Sequence, residues 1–326
     1  MRFAEEHLSP PPVREATRDA MYHEVLAGLR RPQKMLSPKY FYDAYGSQLF
    51  DRITELDEYY PTRTETAILR QHIDPIAARL GPHLTLVEYG SGSSVKTRIL
   101  LDHLDALAAY VPIDISEAHL LQTAARLRQG YPRLPIHPVV ADYTTPVNLD
   151  FIDRQTSPVV VFFPGSTIGN FAPQEAAAFL AHVAEVAGPG GGLLIGVDLQ
   201  KDVAVLEGAY NDAQGVTAAF NRNILVHLNQ ALGATFQPQC FDHHAFYNAA
   251  EGRIEMHLVS RREQCVRLGS AAIHFSAGET ICTEYSYKFT LDGFAHLAAR
   301  AGFKVVEVWT DPQVWFSVQY LVQSPG

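Results

Sequence analysis

Apolar positions along the chain fall into short runs that alternate with amphipathic stretches. A polar lead gives way to a helical pattern over about Pro12–Leu29. An aromatic, turn-rich stretch follows, Ser37–Pro61, holding Tyr40, Phe41, Tyr42, Tyr45, Phe50, Tyr59 and Tyr60. Thr62 and Glu65 have the spacing of a capping box, which predicts a helix opening there and running to about Leu80. Strands and helices then alternate. Leu84–Tyr89 reads as a strand, Gly90–Ser94 as a small-residue loop, Val95–Leu107 as a helix and Tyr110–Ile115 as a second strand. A helix opens near Ser116, strands follow at Ile136–Val140 and Val159–Phe163, then a helix at Pro173–Ala187 and a strand at Leu193–Val197. This alternation predicts a parallel sheet covered by helices on both faces.

After Asp198 the rhythm breaks. A helical stretch runs to about Leu232, followed by β runs at Ala245–Asn248, Ile254–Ser260, Ala271–Phe275 and Ile281–Phe289. A helix at Leu291–Ala301 precedes strands Lys304–Trp309 and Phe316–Gln323, the last returning antiparallel to complete the sheet. The expected fold is therefore α/β, with a Rossmann-type core of residues 62–199 and 289–326. An α+β insertion over 200–288, joined by the N-terminal segment 1–61, would form a substrate-facing lobe.

Composition narrows the field. The chain has 326 residues, 47% of them hydrophobic, ample for one large or two ordinary cores. Lys and Arg total 26 against 35 Asp and Glu, a net charge of −9, which disfavours a nucleic-acid partner. No apolar run approaches the roughly 18 residues that span a bilayer, and Met1–Pro12 lacks a signal-peptide pattern. Cys240, Cys265 and Cys282 are odd in number and far apart, which suits neither a disulfide framework nor a zinc spacing. The expectation is a cytoplasmic, monomeric protein acting on a small molecule, with no metal and no membrane.

Glu88-Tyr89-Gly90-Ser91-Gly92-Ser93-Ser94 follows the first core strand, where an open α/β sheet binds its ligands. Gly90 and Gly92 let the backbone approach a ligand, although an ordinary tight turn has the same look. Val95 stands where a dinucleotide fingerprint wants a small residue, and Lys96 in the first helical turn can meet a ligand carboxylate. Asp114, near the end of the second strand, can accept both hydroxyls of a ribose. Asp142, after the third and beside Tyr143, is placed to read an adenine amino group. Carboxylates at successive strand ends suit a nucleoside without phosphates, which favours S-adenosylmethionine over NAD.

Several blocks then resemble one family. They are Phe41-Tyr42-Asp43, Glu58 to Glu65, the Gly90 loop with Lys96-Thr97, Gly165-Ser166-Thr167-Ile168-Gly169-Asn170, Ala209-Tyr210-Asn211-Asp212, Gly215 to Asn223, Ile254-Glu255-Met256 and Thr283-Glu284-Tyr285-Ser286. In this order they are similar to the S-adenosylmethionine-dependent histidine Nα-methyltransferases of ergothioneine biosynthesis. The resemblance implies a class I methyltransferase core and transfer of up to three methyl groups to the α-amino nitrogen of L-histidine, giving hercynine. It further implies that Asn170 and Tyr210 hold the substrate carboxylate and that Glu284 and Ser286 grip the imidazole, with Tyr59 and Met256 on the pocket wall. Tyr42 and the Gly165 backbone would lie near the amino group. Gly90, Gly92, Lys96, Asp114, Asp142 and Tyr143 would bind the donor. Tyr89 replaces an aliphatic residue of the family, Val95 a common Glu, and Phe163-Pro164 is a local variation that bears on the Gly165 backbone.

The residues support this chemistry in their own right. Glu284 and Ser286, two apart in a strand, share a face, and imidazole has two nitrogens to satisfy. A polar solvent-facing strand has the same alternation. Asn170 offers an amide N–H to a carboxylate, though Asn beside Gly is also an ordinary turn residue. No strong general base is expected, because alignment of nitrogen and methyl carbon supplies much of the rate. Tyr42 would orient the nitrogen, and tyrosine faces tolerate a growing methylammonium. The tyrosine cluster also reads as a packing seam. Alternatives within reach are a related imidazole or aromatic amine as substrate, fewer methyl transfers, and a non-catalytic nucleoside-binding module. His243-His244 and Glu255 with His257 have no metal-site spacing and read as structural.

Overall fold

A computed structural model describes residues 13–92, 95–145, 147–154 and 156–323. The N-terminal segment forms helix α1 (Val13–Leu29), a short strand β1 (Lys34–Met35), a 3-10 turn (Pro38–Phe41) and helix α2 (Ala44–Thr54). Helices α3 (Tyr60–Gln71) and α4 (Ile73–Leu80) occupy the stretch in which the Thr62–Glu65 spacing predicts one continuous helix. Helix α3 instead begins at Tyr60, with Pro61 in the first turn, where its missing N–H has no helical partner to lose. Glu65 does not cap the helix; its side chain is turned inward and fully buried.

The core continues through β2 (Thr85–Tyr89), α5 (Val95–Leu101), β3 (Ala109–Asp114), α6 (Glu117–Gly130), β4 (Val139–Val140), β5 (Val159–Phe163), α7 (Pro173–Ala187) and β6 (Gly192–Asp198). Next come α8 (Val203–Gly208), α9 (Val216–Leu232), β7 (Phe241–Asn248), β8 (Arg253–Ser260), β9 (Gln264–Leu268), β10 (Ala271–Phe275) and β11 (Thr280–Tyr287). The chain closes with α10 (Leu291–Arg300), β12 (Phe303–Thr310) and β13 (Phe316–Gln323).

A seven-stranded sheet has the order β12-β13-β6-β5-β2-β3-β4. Strands β2 to β6 run parallel, and β13 lies antiparallel between β6 and β12. This is the open, doubly wound α/β core expected from the strand–helix alternation. Successive strand residues face opposite sides, so each strand feeds two cores. Val87, Val111, Val161 and Ile195 pack under α7 and α10, while Leu86, Tyr110, Val160 and Leu194 pack under α3 to α6. The order reverses between β2 and β5, which opens a crevice at their carboxyl ends.

A second sheet has the order β1-β11-β8-β7, with β1 parallel to β11 through Lys34↔Ile281 and Met35↔Cys282. Strands β9 and β10 form a separate hairpin. Residues of α1, the 3-10 turn, α2 and α9 pack with β7, β8 and β11 into a third core. Asp43 ties this region together: its carboxylate oxygen accepts from the Gly46 N–H at 2.7 Å and from Asn223 of α9 at 2.8 Å.

The chain passes between the sheets at two adjacent points. The Gln200 N–H donates to the Phe289 carbonyl at 2.9 Å, and the Phe289 N–H to the Asp198 carbonyl at 3.0 Å. Asp198 is 1% exposed there and pairs with Lys288 at 2.8 Å and Lys201 at 2.6 Å, while Tyr60 donates to it at 2.8 Å. Burial opposes ionisation of Asp198, but the two ammonium groups outweigh it and hold the carboxyl below its ordinary value.

Within β6, an added Cβ at Gly196 would run into the Glu65 carboxylate. Gly196→Ala should therefore cost about 1–3 kcal/mol, the usual price of overpacking, and lower the melting temperature. An unchanged melting curve would show that Glu65 can move aside.

Candidate active site

A cavity of 1410 Å³ opens at the reversal of strand order, between the ends of β2, β3 and β5 on one side and the N-terminal segment and β11 on the other. Gly90, Gly92, Lys96, Asp114, Asp142 and Tyr143 line one part of it, and Tyr42, Tyr59, Gly165, Asn170 and Glu284 line another. The remaining predicted residues, Tyr210, Met256 and Ser286, are buried outside this lining.

On the first side, Gly90 has φ +71, a left-handed conformation that the turn after β2 requires. Ser93 and Ser94 of the predicted loop lie outside the described residues. The loop is braced from β2, where the buried Glu88 carboxylate accepts from Tyr110 at 2.5 Å and from Thr97 of α5 at 2.7 Å. Asp114 accepts from the Ser116 N–H at 2.9 Å; burial raises its carboxyl above the ordinary value, against the pull of that N–H. Asp142 accepts from the Thr144 N–H at 3.0 Å, and its other oxygen faces Lys39 at 3.4 Å. Lys39 also pairs with Glu24 of α1 at 2.8 Å, so the N-terminal segment reaches across to this carboxylate. The Tyr143 ring stacks on Tyr89 at 5.5 Å between centroids, which gives the unusual Tyr89 a place in an aromatic cluster with Phe163 and Phe179.

Lys96 forms an ion pair with Glu65. Glu65 also accepts from the Gly165 N–H at 2.9 Å, so that N–H is turned away from the cavity. Glu65 is thus a structural member of the site that its sequence position disguised as a helix cap. The signal that points to it is Gly196 inside an otherwise apolar strand, since a strand glycine marks a close approach.

On the second side, a bulge between Cys282 and Glu284 sets Glu284 opposite Met256 of β8, and Ser286 follows on the same face. Burial raises the half-buried Glu284 carboxyl to about 7, with Lys288 pulling it down in part. Burial, then the Glu284 carboxylate, pushes the Tyr42 hydroxyl well above the usual phenol range, and Tyr59 is raised in the same direction by burial and its tyrosine neighbours. Both therefore stay protonated and act as hydrogen-bonding groups rather than bases. Asn170 ends a 3-10 turn (Thr167–Asn170) that docks on β11, where a Cβ on Gly169 would lie 2.7 Å from the Tyr287 carbonyl.

The Tyr210 hydroxyl donates to Ser286 Oγ at 2.8 Å. Its proton is therefore spent within the protein, whereas the sequence reading gave it to a substrate carboxylate. Lys288, which sequence reasoning missed, donates to Ser286 at 2.8 Å and to Tyr210 at 3.1 Å. A lysine directly after a strand reads as a surface residue; nothing local marks it as buried. His243 supports the same corner, accepting from Asn221 at Nδ1 and meeting the Tyr210 carbonyl through Nε2 at 2.8 Å. Among the described residues no group of three or more His, Cys, Asp or Glu side chains is arranged to hold a metal ion.

The cavity thus offers two carboxylates, Asp114 and Asp142, at successive strand ends. Its lysines, Lys39 and Lys96, are both engaged by carboxylates. That set fits a nucleoside carrying a positive charge better than one carrying a pyrophosphate. Across the cavity stand tyrosine hydroxyls, an amide and a carboxylate, a set suited to a small zwitterion with a polar ring.

Comparisons with known proteins identify the family. A family model described as histidine-specific methyltransferase, SAM-dependent, matches residues 21–323. The chain is 43% identical over 314 residues to the histidine N-alpha-methyltransferase of Mycolicibacterium smegmatis, covering 95% of this chain and 97% of that protein. It is 44% identical over 297 residues to the protein of the same name from Mycobacterium tuberculosis, covering 90% and 91%. Ergothioneine biosynthesis protein 1 of Neurospora crassa is 30% identical over 293 residues, which cover 82% of this chain and 31% of that protein. A match across nearly the whole chain leaves one assignment: the chain belongs to the histidine-specific, S-adenosylmethionine-dependent methyltransferase family.

Proposed function

We propose that this chain methylates the α-amino nitrogen of L-histidine, up to three times, within ergothioneine biosynthesis. The observation that carries the reading is the placement of Glu284 on the wall of the same cavity that Asp114 and Gly90 line. S-adenosylmethionine, when bound, supplies an electrophilic methyl group on a sulfonium centre. Asp114 would accept from the ribose hydroxyls, and Asp142, braced by Thr144 and Lys39, would accept from the adenine amino group. Lys96 would stand at the carboxylate end, its charge shared with Glu65.

The amino acid would sit with its ring at Glu284 and Ser286 and its carboxylate at the Asn170 amide. Tyr42 and Tyr59 would flank the amino nitrogen. Their raised hydroxyls cannot take its proton, so the ammonium loses it to water and the protein's work is orientation. The tyrosine faces accommodate the methylated ammonium product by cation–π attraction, of order 0.5–2 kcal/mol. In this reading residues 62–199 and 289–326 form the donor-binding core, and 200–288 with the N-terminal segment form the substrate lobe. A cytoplasmic monomer is the simplest setting; no described helix is long and apolar enough to cross a membrane.

Incubation with S-adenosylmethionine and L-histidine should give mass gains of one, two and three methyl groups on the amino acid; no gain would defeat the reading. Asp114→Ala should weaken donor binding by about 10–100-fold, the loss of charged hydrogen bonds worth about 1.5–3 kcal/mol, with histidine binding changed far less. Equal donor affinity in calorimetry would remove Asp114 from the ribose site.

Glu284 gives a prediction with a sign. Its folded value of about 7 lies above the ordinary 4.5, so its contribution to stability is full at low pH and is lost as pH rises through 7. Glu284→Gln should therefore melt above the parent at pH 8, with the gap closing toward pH 5, while the histidine KM rises about 10–100-fold. A melting gap that does not depend on pH would contradict the burial argument.

A further inference from the structure

Ser286 Oγ has two lone pairs and one proton. The Tyr210 hydroxyl donates into one lone pair at 2.8 Å and Lys288 into the other at 2.8 Å. The Lys288 ammonium spends its remaining protons on Tyr210 at 3.1 Å and on Asp198 at 2.8 Å. What Ser286 has left is its own proton, so it can only donate. Glu284, two residues away on the same face, can only accept once ionised.

We propose that Lys288, acting through Ser286, makes the ring site select the neutral imidazole in a single tautomer, its N–H on Glu284 and its bare nitrogen on Ser286. This rests on the histidine reading above. A cationic ring would set a second N–H against the Ser286 hydroxyl, whose lone pairs are both taken. Charge works in the same direction. The Lys288 ammonium lies directly behind Ser286, where it disfavours a second cation on the ring, while Lys201 is compensated by Asp198 and faces Asp311. The ionisable groups around the corner are Glu284 from β11, Tyr42 and Tyr59 from the N-terminal segment, Tyr60 from α3, Asp198 from β6, Asp311 from the loop after β12, and Lys201, Tyr210 and Lys288. The tyrosines all lie above their ordinary range, so the groups that titrate near neutrality are Glu284, raised to about 7, and Lys201, lowered to about 8 and bonded to Asp198 rather than to Ser286.

Lys288 is thus a positioning residue, and proton counting exposes it. Free histidine carries a ring proton below about pH 6.5, and free Glu284 carries one below about 7. If the complex holds neither, both must leave, and the Kd for histidine should climb toward a hundredfold per pH unit below about pH 6. It should stay flat from about pH 7.5 to 8.5. Calorimetry on the protein with S-adenosylhomocysteine tests this. A Kd minimum near pH 7, rising tenfold per unit on both sides, would mean that the complex keeps one proton and would overturn the proposal.

Nitrogen NMR of ring-labelled histidine in the same complex should show one protonated and one unprotonated ring nitrogen at pH 6.5. Two protonated nitrogens would also overturn it. In Lys288→Met the acid-side slope should drop toward tenfold per unit, because Ser286 regains a lone pair. Tyr210→Phe reopens the other lone pair and should do the same if the lysine variant does not fold. A hundredfold slope retained in a folded variant would take the selection away from that donor. Absence of histidine binding at pH 8 would instead defeat the histidine reading itself.

Discussion

The buried carboxylate of Glu65 holds together the three pieces of chain that meet where the strand order reverses. Its partners come from α5, through Lys96, and from the turn after β5, through the Gly165 N–H, while Glu65 itself sits on α3. A buried carboxylate is tolerable only with its charge compensated and its lone pairs used. Each partner is therefore necessary to the others, and β6 must present glycine at 196 to leave room. Loss of the lysine would leave an uncompensated interior charge, a defect of about 3–5 kcal/mol. Helix α5, which follows the Gly90 loop, and the turn that carries Asn170 are in this way set from one point.

Asp198 performs a similar task for the two sheets. It ends β6, and Lys288 follows β11, so the ion pair joins the strand that leaves the core to the strand that returns to it. The same lysine touches Ser286 and Tyr210. The Ser286 corner is thus wired into the contact that fixes the second sheet against the core sheet. A change at that contact would register in both places.

Much of the core was legible because parallel strands buried on both faces have a strong apolar signature: β5, Val159–Phe163, reads without ambiguity. Cavity-lining positions such as Asp114 were legible because strand ends in such a sheet are where ligands bind. Strand β9 was missed, since Gln264 to Leu268 has only alternate residues buried and belongs to a hairpin outside both main sheets. Glu65, Lys288 and the true partner of the Tyr210 hydroxyl were hidden for a different reason. Each is defined by a contact spanning from 31 to 100 residues, as with Glu65 to Lys96 and to Gly165 or Lys288 to Asp198, and local periodicity carries no information about such pairs.

Strand β1 is only Lys34–Met35, yet it occupies the free edge of β11 in parallel register, and the Leu36 N–H extends the ladder to the Cys282 carbonyl at 2.9 Å. An open strand edge is a template for pairing with other molecules. By covering it from within, the N-terminal segment acts as a guard rail: the strand bearing Glu284 is sealed against intermolecular sheet growth, and the shape of the cavity wall comes to depend on the same few backbone hydrogen bonds.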